Sequence, residues 1–287
     1  MNTKGTMSRR SFIRTATVGY GISAVAGDGL AMSKKKAVTP VGLQLYTLRD
    51  LMKEDFTGTV AKVAEIGYDA VEFAGYGGLS ASEVKRLLDD LGLVCAGTHE
   101  GFQNLGDRLG ETIEFNAAIG NGDIVCPSMP QEWRKSGADG FREFGERMNA
   151  IGEKVKAAGL RFVYHNHSFE FERVGGKHLI EYFFETSDPE LVTMEVDVYW
   201  VKRGGVDPAT FLRKYAKRCT MIHMKDMADD AEQSFAPVGT GTLDMPGIVA
   251  ASREIGARWY VVEQDRTKRP PLEAVAISLN NMRKLLS

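Results

Sequence analysis

The chain has 287 residues, a formal charge of −2 and a hydrophobic content of 43%, which is enough for one large domain or two small ones with a sizeable core. The nearly neutral charge gives no electrostatic basis for binding nucleic acid or an anionic membrane, and beyond the N-terminal region no run approaches the roughly 20 apolar residues of a membrane span. Cys95, Cys126 and Cys219 lie in or beside apolar runs and show neither a disulfide framework nor zinc-site spacing, so we expect them to be buried.

The N-terminal segment resembles a twin-arginine export signal. Arg9 and Arg10 precede Phe12 and a weakly apolar, Gly/Ala-rich stretch over residues 16–31, which Asp28 interrupts. We expect residues 1–36 to be such a signal, which would direct the folded protein to the periplasm. The alternative is a basic tail without export function, which would leave the protein in the cytoplasm.

From Val38 onward, short apolar runs alternate eight times with amphipathic segments. The apolar runs predict buried strands at 41–46, 70–73, 93–99 and 123–127, within 159–171, and at 191–197, 219–226 and 259–263. The amphipathic segments predict helices at 55–66, from Ser80 or Ser82 to 91, at 109–119, 139–158 and 177–185, after Asp207-Pro208, and at 244–255 and 272–285.

Eight strand–helix units over about 250 residues predict a single-domain α/β fold, a (β/α)₈ TIM barrel spanning residues 37–287. The alternative, a doubly wound open sheet, usually has fewer units, and no glycine-rich phosphate motif follows the first strand. Glycines close several predicted helices, at Gly67, Gly92, Gly159 and Gly256, which supports the boundaries of the units.

Polar side chains follow nearly every predicted strand, where the active site of such a barrel lies. They are Gln44, Tyr46, Glu72, His99, His165, His167, Asp197, His223, Lys225 and Glu263. A structural role is plausible for any one of them, but burying all of them would be costly without a ligand or a metal. Imidazoles and carboxylates around one centre indicate one divalent metal ion, and this donor set suits Mn, Mg, Co or Zn.

The fifth strand carries two of the chain's five histidines. Positions two apart on a strand share a face, so we expect Val163, His165 and His167 to point the same way. An isolated pair of this kind would more often make hydrogen bonds within a loop. The polar ends of the later strands favour a functional site instead.

The motifs Tyr164-His165-Asn166-His167, Asp197-Val198-Tyr199-Trp200 and His223-Met224-Lys225-Asp226, with Glu263 at the end of strand eight, resemble the xylose isomerase-like TIM-barrel superfamily. The resemblance runs from Val41 to the C-terminus. The superfamily includes sugar-phosphate isomerases and epimerases, ketose 3-epimerases, inosose dehydratases and apurinic endonucleases. It implies that Asp197, His223 and Glu263 hold one metal ion. At the position of His165 many members have Glu, but the inosose dehydratase-like branch also has His. We expect His165 to be the fourth ligand.

The resemblance implies a sugar isomerase or epimerase that moves a proton next to a carbonyl through an enediolate. Glu263 is the expected base, His167 the second acid or base, and Lys225 a donor to a substrate oxygen. For Lys225, a salt bridge with a barrel carboxylate such as Glu195 is the alternative. A dehydratase or lyase acting on a keto-sugar or 3-keto-glycoside, and a non-catalytic sugar-binding barrel, are the alternative functions.

The expected substrate is a small, unphosphorylated sugar, since no phosphate-binding loop is identifiable. We expect it to contact Gln44, Tyr46, Glu72, His99, Glu170, Trp200 and Arg266. An endonuclease is disfavoured because Trp200 stands where that branch has a metal-binding histidine, and because the charge does not suit DNA. The sequence leaves both a monomer and a homo-oligomer open.

Overall fold

The computed structural model describes residues 39–287, and the expected export signal at 1–36 lies outside them. Eight parallel strands form a closed barrel in which each strand pairs with its neighbours in sequence and the last pairs with the first. The strands are β1 (Val41–Gln44), β2 (Ala70–Phe73), β3 (Val94–His99), β4 (Asp123–Cys126), β5 (Arg161–His165), β6 (Val192–Asp197), β7 (Cys219–Met224) and β8 (Trp259–Val262). The predicted (β/α)₈ TIM barrel is confirmed.

One main helix follows each strand. These helices are α1 (Phe56–Ile66), α2 (Ala81–Leu91), α3 (Leu109–Ala118), α4 (Gly137–Ala157), α5 (Leu179–Thr186), α6 (Pro208–Lys214), α7 (Met245–Glu254) and α8 (Pro271–Leu286). Shorter helical pieces lie at Leu45–Leu48, Arg49–Glu54, Phe102–Leu105, Gln131–Lys135, Phe169–Phe171 and Val198–Arg203. Among the described helices, none combines the length and apolar character required to cross a bilayer.

Side-chain caps explain where several helices begin. Asp55 accepts a hydrogen bond from the Gly58 N–H at the start of α1. Asp244 accepts one from the Gly247 N–H at the start of α7. Of the two predicted caps of α2, Ser80 is the one used, in a reciprocal capping box with Glu83. A capped N-terminus satisfies amide groups that have no partner inside the helix, so the sequence located these boundaries to within a residue.

Two predicted boundaries were wrong for local reasons. The run at 41–46 ends as a strand at Gln44, because its side chain accepts a hydrogen bond from the Tyr46 N–H and starts a 3₁₀ helix. The fifth helix begins at Leu179 rather than at 177. Lys177–His178 instead pairs with Arg173–Val174 in a short antiparallel hairpin.

The barrel has an apolar interior that separates its two ends. Small and medium side chains fill it: Ala70, Ala96, Val125, Val163, Met221 and Val261, all fully buried. A larger core packs between the outer face of the strands and the helices, and it includes two of the predicted buried cysteines, Cys126 and Cys219. Close packing of this layer leaves the polar strand ends on a rigid support.

An ion-pair cluster lies at the end of the barrel where strands begin. Asp123, 2% exposed, accepts two hydrogen bonds from the Arg161 guanidinium, at 2.9 and 2.7 Å. It accepts two more from Arg258, at 3.0 and 2.6 Å. Arg258 precedes β8 and Asp123 begins β4, so these bonds join opposite sides of the barrel. Four charge-assisted bonds satisfy the buried carboxylate fully.

Asp123→Ala should therefore lower the free energy of unfolding by about 2–4 kcal/mol, somewhat below the usual cost of breaking a buried pair because both guanidinium groups can be rehydrated. Urea denaturation followed by circular dichroism would measure the change. Glu254→Ala, which breaks the exposed Arg213–Glu254 pair, is the control and should change the free energy of unfolding much less than Asp123→Ala, because solvent screens the exposed pair. Equal losses in the two variants would contradict this role of Asp123.

Candidate active site

A cavity of about 960 Å³ opens at the C-terminal end of the barrel. The predicted site residues that line it are Tyr46, His99, His165, His167, Trp200, Lys225, Glu263 and Arg266. They come from the ends of four strands and from the following loops. The structure thus brings residues that are far apart in the sequence to one concave surface, as expected for this type of barrel.

The four predicted metal ligands converge beside this cavity. His165, Asp197, His223 and Glu263 each offer one ligand atom, and the four atoms all lie within 4.8 Å of one another. The strand register explains the convergence, because Asp197 pairs with His223 across β6 and β7. The register also pairs Val261 of β8 with His223, so that Glu263, two residues after Val261, lies close to His223.

This donor set fits a divalent cation. Asp197 is fully buried, and its Oδ2 atom accepts no hydrogen bond. Lys225 Nζ lies 3.2 Å from that oxygen without hydrogen-bond alignment, and His165 Nε2 lies 3.9 Å away. The ammonium of Lys225 offsets part of the cost of burying this oxygen, and a bound metal cation would supply the direct ligand that the oxygen lacks. Two imidazoles and two carboxylates suit the metals expected from the sequence.

Lys225 is the buried cation of the site, with 1% of its side chain exposed. Its ammonium group donates to Glu263 Oε2 at 2.9 Å and to Asp265 Oδ1 at 2.8 Å. Burial alone would lower its pKa, but Asp197, Glu263 and Asp265 raise the pKa of Lys225 above its ordinary value. Lys225 therefore stays charged and can donate a hydrogen bond, but it is unsuited to act as a base.

The two carboxylates at the cavity differ in their protonation. Burial raises the pKa of Asp197 to about 7, although Lys225 opposes the shift. Burial also works against the charge of Glu263, but Lys225 and His223 together hold the pKa of Glu263 well below its usual range. Glu263 is thus ionised near neutral pH, when Asp197 is only partly ionised in the protein without metal.

His167 is the imidazole at the cavity wall that has an unused ring nitrogen. Its Nδ1 atom is buried without a hydrogen-bond partner, and its ring lies 5.9 Å from that of Phe169 and 5.4 Å from that of Trp200. Burial, with His165 nearby, lowers the pKa of His167 to about 2. The ring is therefore neutral near physiological pH.

Gln44, Glu72 and Glu170 were predicted to contact the substrate, but they do not line the cavity. Gln44 and Glu72 are fully buried beneath it, where the Gln44 amide donates to Glu72 Oε2 at 2.8 Å. Glu170 accepts hydrogen bonds from the Tyr164 hydroxyl at 2.7 Å and the His167 N–H at 2.9 Å. It therefore shapes the loop after β5 from behind. Burial raises the pKa of Glu170 to about 7.

Glu195 is central to the site, although the sequence suggested it only as a partner for Lys225. It is fully buried and accepts hydrogen bonds from His99 Nε2 at 2.8 Å and from His165 Nδ1 at 3.0 Å. Burial opposes its charge, but His223, His165 and His99 hold the pKa of Glu195 well below its usual range. The available signal was strand alternation, which places Glu195 on the same face as Asp197. Lys225 pairs instead with Asp197, Glu263 and Asp265.

Gly97 leaves space for the buried side chain of Glu72. A Cβ atom at Gly97 would lie 2.6 Å from Glu72 Oε1 and 3.1 Å from the Met221 side chain. Any larger residue would force the carboxylate of Glu72 to move. The glycine in β3 is thus required by the close approach of a polar group inside the barrel.

Comparison with known proteins agrees with this geometry. The family model described as xylose isomerase-like TIM barrel matches residues 60–285. An inosose dehydratase from Clostridium tetani (strain Massachusetts / E88) is 26% identical over 152 residues, covering 46% of this chain and 50% of that protein. An inosose dehydratase from Bacillus cereus (strain AH820) is 30% identical over 164 residues, covering 50% of this chain and 51% of that protein. The chain spans about half the length of these curated relatives.

A solved structure supports the same grouping over more of the chain. It is a sugar phosphate isomerase/epimerase from Parabacteroides distasonis ATCC 8503, with a TM-score of 0.75 and 27% sequence identity. The match covers 90% of this chain and 98% of that one. Since the family model also spans well over half of the sequence, this chain belongs to the xylose isomerase-like TIM-barrel family.

Proposed function

We propose that this protein is a metal-dependent sugar isomerase or epimerase that moves a proton next to a carbonyl through an enediolate. The observation that carries the proposal is the convergence of His165, Asp197, His223 and Glu263 beside a cavity large enough for a sugar. Membership of a family with sugar-converting relatives supports it. A small-molecule sugar is accordingly the proposed substrate.

His165, Asp197, His223 and Glu263 would hold the metal ion. When bound, such an ion polarises the carbonyl and a neighbouring hydroxyl of the sugar, which acidifies the adjacent C–H bond. Mn, Mg, Co and Zn all accept mixed imidazole and carboxylate ligands of this kind.

The protein's own groups supply the proton transfer. Glu263 is ionised and faces the cavity, so it can accept the proton from carbon. Lys225 donates a hydrogen bond to the oxygen on which negative charge develops, and its own carboxylate contacts hold it in place. His167, whose side chain lines the same cavity, is the second group that exchanges a proton with the substrate. Return of the proton to carbon then gives isomerisation or epimerisation.

A dehydratase or lyase is the second candidate, because the two groups assigned to proton transfer, Glu263 and His167, are a carboxylate and an imidazole rather than two carboxylates. The relatives named inosose dehydratase favour it as well. In this case His167 takes the proton from carbon, the electron pair of the C–H bond forms a C=C bond, and the neighbouring C–O bond breaks. His167 returns the proton to the departing oxygen, so that water or an alcohol leaves.

Deuterium exchange separates the two candidates. Protein loaded with Mn²⁺ is incubated in D₂O with ketoses and 3-keto-glycosides, and the products are analysed by NMR and mass spectrometry. For an isomerase or epimerase, solvent deuterium enters the sugar, Glu263→Gln lowers the exchange rate by about 10²–10⁴-fold, and His167→Gln retains part of it. For a lyase, an unsaturated product forms and His167→Gln abolishes it.

Metal content is measured in each sample, so that loss of the ion in Glu263→Gln is not mistaken for loss of the base. Absence of both exchange and unsaturated product across the panel, in protein that holds metal, would contradict both enzymatic candidates. It would favour a non-catalytic sugar-binding barrel.

Asp197→Ala should remove the stabilisation that metal gives to the wild-type protein. At Mn²⁺ near 100 times its Kd, binding stabilises the native state by about 2.7 kcal/mol, or about 5–10 °C in Tm for a domain of this size. Differential scanning fluorimetry measures the shift with and without Mn²⁺. The control is Glu170→Gln, another fully buried carboxylate, which should keep the full shift. An equal shift in Asp197→Ala and wild type would contradict the assignment.

Metal affinity should rise with pH between about 6 and 8. Asp197 must lose its proton before its carboxylate binds a cation, and its pKa is raised to about 7. Below that pKa, the metal ion must displace a proton from Asp197, so the affinity falls by about tenfold for each unit that the pH is lowered. Isothermal titration calorimetry with Mn²⁺ at several pH values measures the dependence. A constant Kd from pH 6 to pH 8 would show that no ligand protonates in this range.

A further inference from the structure

The imidazoles of His165 and His223 each contact, through one ring nitrogen, a carboxylate that lies outside the cavity. His165 Nδ1 is 3.0 Å from Glu195 Oε2, and His223 Nε2 is 2.6 Å from Glu72 Oε2. Glu72 and Glu195 are fully buried, and neither lines the cavity. Their position behind the two rings distinguishes them from Asp197 and Glu263, which complete the ligand set.

These contacts indicate which nitrogen of each ring would face a bound ion. A neutral imidazole has one N–H donor and one lone pair, and a carboxylate can only accept. His165 must therefore place its proton on Nδ1, which leaves the Nε2 lone pair on the side of Asp197 Oδ2, 3.9 Å away. His223 contacts a carboxylate at each ring nitrogen, because its Nδ1 atom lies 3.0 Å from Glu263 Oε2. If Nδ1 and Glu263 both bind the ion, the proton of the neutral ring is on Nε2 and is donated to Glu72. The two ligands thus present different nitrogens to the same centre.

A second metal ion is the competing explanation of the buried carboxylates. His99, His165, Glu195 and His223 also place one ligand atom each within 4.8 Å of one another. Two ions would, however, require His165 and His223 to bind metal through both ring nitrogens, which means that each neutral ring loses its one N–H proton and becomes an imidazolate. Donation of an N–H to Glu195 or Glu72 requires no such ionisation, and it is the usual arrangement behind metal-bound histidine.

We propose that Glu72 and Glu195 are positioning residues that fix opposite tautomers of His223 and His165, so that one divalent metal is bound through Nδ1 of His223 and Nε2 of His165. The inference rests on the proposed metal dependence and adds roles for residues that do not touch the ion. Gln44 belongs to the same arrangement, because its amide donates to the Glu72 oxygen that accepts from His223.

Glu195 is the more informative of the two for substitution. Its Oε2 atom accepts from His99 and His165, and its Oε1 atom lies 3.0 Å from His223 Nε2. In Glu195→Gln, one of these sides becomes an NH₂ donor that faces an imidazole N–H. With the amide nitrogen at the Oε2 position, the His165 ring is forced into the wrong tautomer. With the nitrogen at the Oε1 position, which has no hydrogen-bond partner, His223 loses a charged oxygen 3.0 Å from its Nε2 atom. Glu72→Gln is milder, since its amide nitrogen can occupy the position of Oε1, which has no hydrogen-bond partner.

The test combines metal affinity with direct observation of the tautomers. Zn²⁺ is titrated into metal-free wild type, E195Q and E72Q, with Kd and stoichiometry from calorimetry. The five histidines allow imidazole ¹⁵N–¹H correlation spectra to be assigned with single His→Asn variants. We expect one Zn²⁺ per chain, a proton on Nδ1 of His165, a Kd raised about 10–100-fold in E195Q, and a smaller rise in E72Q.

Glu100→Gln is the matched control. Glu100 is 4% exposed and follows β3, but it accepts hydrogen bonds from Tyr76 and Asn104 and from no imidazole. E100Q should leave the Zn²⁺ Kd within about twofold of wild type and the imidazole spectrum unchanged. If E195Q does not fold, Glu195→Asp replaces it, because its shorter carboxylate cannot reach the same rings and should weaken binding similarly.

Two results would overturn the inference: two Zn²⁺ ions per wild-type chain, or an E195Q protein with wild-type affinity and wild-type tautomers. A wild-type protein that binds no divalent metal would overturn the proposed function instead. In that case the His165 spectrum of the metal-free protein decides the present inference. A proton on Nδ1 that moves in E195Q supports the positioning role, and an unchanged spectrum contradicts it.

Discussion

Charge buried at the C-terminal end of the barrel is the constraint on which the site depends. Glu72, Glu195 and Asp197 are fully buried, and a carboxylate in such surroundings is unstable without cations or hydrogen-bond donors. The imidazoles and Lys225 supply them, from strands and loops on several sides of the barrel. Each of these groups is thus held by partners on other strands, which orients the cluster before any ligand arrives.

The rest of the barrel supplies stability that offsets the cost of burying these charged groups. The apolar layer that includes Val125, Val163 and Met221 separates the cluster from the opposite end, where Asp123 joins β4 to the segment before β8 through Arg258. Stability and chemistry therefore reside at different ends of the same strands, as is general for this fold. Loops at the upper end can then shape the cavity without disturbing the core.

Much of the site could be predicted from the sequence because it depends on strand ends. His165, Asp197, His223 and Glu263 each terminate a strand-like run, and parallel strands must bring such positions together. Whether the side chains of Gln44 and Glu72 reach the cavity could not be predicted in the same way. Whether a side chain at a strand end reaches the cavity or remains under it depends on the stagger between strands, and on spaces such as the one left by Gly97.

The sequence by itself determined the barrel and most of its helix boundaries, because these follow from hydrophobic periodicity and capping residues along the chain. The resemblance of its motifs to a known family indicated the four residues that converge on one centre. Only the tertiary structure decided that Glu195 belongs to the site, that Lys225 pairs with Glu263 and Asp265, and that Glu170 lies outside the cavity. Such contacts join residues from different strands and loops, and they depend on register and side-chain direction, which local pattern does not specify.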